Sequence, residues 1–76
     1  AHPSTITSIN NLAICISDQG RYDEAEPMYR AALEARRRVL GEDHPDTISS
    51  TYNLATCLDE QGRTEDAVPL ARAALE

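Results

Sequence analysis

Apolar side chains recur along this chain at helical spacing. Ile6, Ile9, Leu12, Ala13 and Ile16 follow one another by three and four positions, which lays one apolar stripe along an α-helix. The spacing predicts a first helix over residues 3–18 and a second over 22–39, with Ala25, Met28, Tyr29, Ala32 and Leu33 on one side. Ile48, Leu54, Ala55 and Leu58 then return at the phases of the first helix, predicting a third over 45–60 and a fourth over 64–76. Pro3 and Pro45 suit a first helical position, where a missing N–H costs nothing. Gln19-Gly20 and Gln61-Gly62 end the first and third helices, because glycine takes the left-handed cap conformation without strain. Gly41 stops the second, and Gly41-Glu42-Asp43 is a short linker. Pro27 and Pro69 fall inside the second helix of each pair, where they either bend the array or are tolerated as early-turn prolines.

The pattern is an internal repeat. A shift of 42 positions lays His2-Pro3 on His44-Pro45, Asn11-Leu12-Ala13 on Asn53-Leu54-Ala55, and Gln19-Gly20-Arg21 on Gln61-Gly62-Arg63. It also lays residues 30–34 on 72–76, and 19 of the 34 position pairs it creates are identical. Residues 1–42 are therefore one helix-turn-helix unit and residues 43–76 most of a second.

Those residues resemble the tetratricopeptide repeat. The likeness rests on the Asn-Leu-Ala step, the Gln-Gly turn, Tyr22-Asp23-Glu24-Ala25, and Tyr29 followed by Ala32-Leu33-Glu34. The period of 42, the linker Leu40-Gly41-Glu42-Asp43-His44-Pro45-Asp46-Thr47 and the stretch Ala25-Glu26-Pro27-Met28-Tyr29 resemble the kinesin-light-chain variety, which also forms arrays in signalling NTPases. The chain departs from the usual pattern where Ile9 and Thr51 replace a bulky aromatic, where Ala13 and Ala55 replace a glycine, and where Tyr29 becomes Ala71. The resemblance implies an all-α fold, a right-handed α-solenoid of antiparallel helix-turn-helix repeats. Two repeats are few for such an array, and the chain reads as a piece of a longer one whose open ends associate end to end.

Composition narrows the partners. The chain has 76 residues, 41% of them apolar, with 11 alanines and neither Phe nor Trp. Small residues of this kind suit thin layers of closely packed helices. The net charge of −6 argues against nucleic acid or an anionic membrane surface as partner. No apolar run approaches the roughly 20 residues of a membrane span.

Little in the chain carries chemistry. Cys15 and Cys57 stand one repeat apart, whereas helices pack at about 8–10 Å and a disulfide needs its Cα atoms within about 7 Å. Both are expected to be small buried residues in a reducing compartment, hence a cytoplasmic location. His2 and His44 precede helix-starting prolines and can serve as caps. No metal site, cofactor, phosphate loop or catalytic constellation is indicated. Asp23, Glu24, Glu26, Glu34, Glu65 and Asp66 read as solvated acids, and Arg36-Arg37-Arg38 as cations in a last helical turn.

At 100° per residue the apolar stripe leaves an arc that includes Asn10, Asn11, Ile14, Ser17 and Asp18 on the first helix. On the third helix it includes Tyr52, Asn53, Thr56, Asp59 and Glu60. The resemblance implies that this arc faces a concave groove that binds extended peptides, with Asn11 and Asn53 as the groove asparagines. The arc lacks Lys and Arg, so its acids imply a neutral or basic peptide. The expected function is a non-enzymatic scaffold for protein partners. Alternatives are a structural, self-stacking spacer and the regulatory segment of a signalling NTPase.

Overall fold

The computed structural model describes residues 3–75, and they form four helices: α1 (Pro3–Asp18), α2 (Tyr22–Leu40), α3 (Pro45–Glu60) and α4 (Thr64–Leu75). The second helix runs one residue past Val39. His2 and Glu76 lie outside the described residues. No strand occurs among those described, so the fold is all-α.

The turns form as local chemistry dictates. Gly20 and Gly62 hold φ of 79° and 78°. At the second turn the Gly62 N–H donates to the Asp59 carbonyl at 2.9 Å and the Arg63 N–H to that of Leu58 at 2.9 Å. Gly20 and Arg21 make the same pair of bonds to Ser17 and Ile16. This double bond pattern closes a helix on a left-handed glycine. Pro45 opens α3, and His44 caps it by accepting the Asp46 N–H at its Nδ1, 3.1 Å away. Pro27 and Pro69 are exposed and stand at the sixth position of α2 and α4, where each leaves one carbonyl a turn earlier without its helical donor.

Each helix packs on the next in the chain, α1 on α2, α2 on α3 and α3 on α4. The resulting slab measures 30 × 26 × 14 Å, and its shortest extent admits no more than two layers of helices about 10 Å apart. Its core is Ala13, Ala25, Tyr29, Leu33, Leu54, Ala55, Cys57, Leu58 and Ala67, with Ile16, Tyr22, Met28, Leu70 and Ala71 against it. Four alanines in that set let the backbones approach closely.

Three expectations need correction. Leu12 and Cys15 are exposed, although they lie on the apolar half of α1. Their repeat equivalents Leu54 and Cys57 are 1% and 2% exposed because α3 packs on both α2 and α4, whereas α1 packs mainly on α2. Arg36 is not a solvated last-turn cation. It sits a turn earlier, 7% exposed, and its Nη1 donates to Ser50 Oγ at 2.7 Å and to the Asp46 carbonyl at 3.2 Å. Arg37 and Arg38 do occupy the last turn of α2.

Candidate functional site

The arc on α1 and α3 divides in the folded chain. Asn11, Ile14 and Asp18 are exposed on α1, as are Tyr52, Thr56, Asp59 and Glu60 on α3. Ser17 and Asn53 are half-buried. Asn10 departs from expectation: it is 7% exposed, and its Oδ1 accepts a hydrogen bond from Asn53 Nδ2 at 3.4 Å. The two side chains pair across the repeats because α3 settles against the first helix pair and turns Asn53 toward α1. Asn53 therefore spends one amide hydrogen inside the protein.

The exposed part of the arc is acidic. Asp18, Asp59 and Glu60 crowd its C-terminal end, where the carbonyl ends of α1 and α3 add further negative potential. The Tyr22 hydroxyl donates to Glu60 at 3.4 Å, and the Glu60 charge, with desolvation behind it, raises the phenol above its ordinary pKa. Thr64 Oγ1 donates to Asp59 at 2.9 Å, tying the end of α3 to the start of α4. The Thr56 hydroxyl folds back on the Tyr52 carbonyl at 3.0 Å.

The joint between repeats holds polar groups that sequence reasoning missed. Glu26, with its side chain 15% exposed, receives Gln61 Nε2 at 3.0 Å and Arg63 Nη1 at 2.6 Å from the second repeat. Arg30 Nε reaches the other oxygen of the same carboxylate at 3.0 Å. Desolvation pushes the Glu26 carboxyl up. Hydrogen bonds from Gln61 and Arg30 and the nearby guanidinium of Arg63 outweigh it, so the pKa falls below the usual carboxylate range. Cys57 Sγ donates to the Tyr22 carbonyl at 3.3 Å. A signal for Arg36 existed, since it continues the stripe Ala25, Tyr29, Ala32, Leu33 at helical spacing. Glu26 offered only its i,i+4 spacing to Arg30, because Gln61 and Arg63 are more than thirty positions away.

Beyond the joint, α3 and α4 enclose an open cleft of about 330 Å³, with Tyr52, Thr56 and Asp59 on its α3 side beside Ala55. Thr64, Ala67, Val68 and Ala71 form the α4 side. Three candidate groove residues thus line this cleft as well as the arc.

Burial pushes the Cys57 thiol up, away from the reactive thiolate. Among the described residues no three His, Cys, Asp or Glu side chains converge on a point, and no helix is long and apolar enough to cross a membrane. Two stacked helix-turn-helix units, each closed by a left-handed glycine and joined face to face, define a helical-repeat protein. The family model described as tetratricopeptide repeat matches residues 4–76, and the chain belongs to that family. Such repeats generally mediate protein–protein interaction and are generally not enzymes. No curated protein matches the chain significantly.

Proposed function

We propose that the chain is a scaffold module that binds an extended partner peptide along the exposed arc of α1 and α3. The observation that carries this reading is the arc itself. Apolar Ile14 and the flat Tyr52, 59% exposed, stand beside the amide of Asn11 and three carboxylates, with no cation among the arc residues. Side chains of this kind grip an extended backbone through apolar area and hydrogen bonds. The acids select a neutral or basic peptide. The 42-residue period and the linker around Gly41 support the kinesin-light-chain-like subtype, and the right-handed solenoid and cytoplasmic setting go with that reading.

Fluorescence anisotropy with labelled peptides of matched length tests it. Basic and neutral peptides should bind more tightly than acidic ones, and Asp18→Lys with Glu60→Lys should reverse the order. Acidic peptides binding best to the unaltered chain would refute the proposal.

A further inference from the structure

The arc on α1 and α3 carries no cation. All seven basic residues of the chain are arginines, and all lie on α2, on α4 or in the turns that precede them. The side built by those two helices holds a separate groove of about 390 Å³. Both α2 and α4 pack on α3, so they stand as its two walls, and Leu33, Leu54 and Leu70 give it an apolar lining. At 100° per residue, Leu54 lies about 160° round α3 from Tyr52 and from Thr56. The groove and the arc are therefore on different sides of that helix.

Arg30, Glu34 and Arg37 stand along the α2 edge of the groove, all exposed, at the spacing that puts side chains in one row. The edge reads positive, negative, positive. Neither cation is fully engaged. Arg30 commits its Nε to Glu26 at 3.0 Å, and its terminal nitrogens make no hydrogen bond among the described residues. The carboxylate oxygens near Arg37 lie at 3.6 Å (Glu42) and 4.0 Å (Glu34), beyond hydrogen-bond range.

We propose that this groove binds an acidic, extended partner peptide with an apolar centre, distinct from the peptide of the arc. Arg30 and Arg37 are seven residues apart, which is about 10 Å along α2. In an extended polyproline II segment, positions three apart share one side and stand about 9 Å from each other. Two carboxylates three positions apart thus reach both guanidiniums, whose remaining donors suit them. The two residues between them meet Glu34 and the leucines, so they are apolar and uncharged. The pattern is acid, apolar, apolar, acid. Asp18, Asp59 and Glu60 repel such a peptide from the arc. The groove is short, so its peptide binds more weakly than one that spans the arc, with a dissociation constant on the order of 0.1–1 mM.

Fluorescence anisotropy with a labelled, end-blocked peptide carrying Glu-Leu-Ala-Glu tests this. Arg37→Glu should weaken its binding at least about tenfold. Ala31→Tyr, which fills the groove from an exposed position of α2 without changing charge, should weaken it as much. Arg72→Glu makes the same charge change at an exposed position outside the groove, and should leave binding within about twofold. A peptide of the same composition with its acids at the centre, Leu-Glu-Glu-Ala, should bind at least about fivefold more weakly, because Glu34 opposes it. Unchanged helical circular dichroism verifies the fold of each variant. Equal binding to the unaltered chain and to Arg37→Glu overturns the proposal. So do equal losses in Arg37→Glu and Arg72→Glu, which would mark attraction to net charge alone, and an unaltered chain that leaves the peptide free at millimolar concentration.

Discussion

The first and second helix pairs are built from nearly the same residues, yet they differ in what is buried. Leu54 is 1% exposed and Leu12 52%; Cys57 is buried and Cys15 open; Asn10 is covered while its counterpart Tyr52 stands in solvent. Identity of sequence does not carry identity of environment, because in a repeat array each unit finishes its core on its neighbour. The second difference is chemical. The filled cleft is keyed by Glu26 and the open one is lined at that position by Val68. A half-buried carboxylate held by Gln61, Arg63 and Arg30 fixes one register, whereas Val68 offers only contact area.

The largest test of this contrast is paired truncation. Leu54→Ala should cost about 3 kcal/mol of unfolding free energy, because it opens a void where α2 and α3 meet. Leu12→Ala should cost less than about 1 kcal/mol, because that side chain is half in water already. Urea denaturation of both variants measures the difference, and equal losses would abolish the distinction between the two faces.

A smaller effect sharpens the chemical contrast. Glu26→Gln should destabilise by about 1 kcal/mol, since the carboxylate is mostly buried and charge-assisted while its partners remain partly solvated. The carboxyl titrates below its ordinary value in the folded chain. Its contribution is therefore complete above the unfolded-state pKa and is lost as pH falls through the folded one. The stability of the unaltered chain should decline on acidification more steeply than that of Glu26→Gln. The same slope in both would remove Glu26 from the joint.

The gentlest probe leaves the sequence intact. Cys15 should react with a thiol reagent at least about tenfold faster than Cys57, whose labelling waits for a local opening of α3. Mass spectrometry of the labelled peptides separates the two sites.

Much of this architecture was legible in the chain. Period, helix starts at proline, glycine turns and the Ala-rich contact stripes follow from residue spacing and local backbone chemistry, which act within one or two helical turns. The arc on α1 and α3 was legible for the same reason, as a phase on a helix. The burial of Asn10, the choice of Ser50 as partner for Arg36 and the convergence of Arg63 and Gln61 on Glu26 were not. Each depends on a partner brought from another element by the packing of α2 on α3, and no local rule fixes the azimuth of that packing.

Sequence alone determined the repeat family, the four helices of the described residues and the phase of each side chain on its helix, since periodicity and cap chemistry are properties of a single helix. Tertiary structure decided which of two equivalent residues is core and which is surface. Burial requires a second surface, and only the stacking of one pair on another provides it.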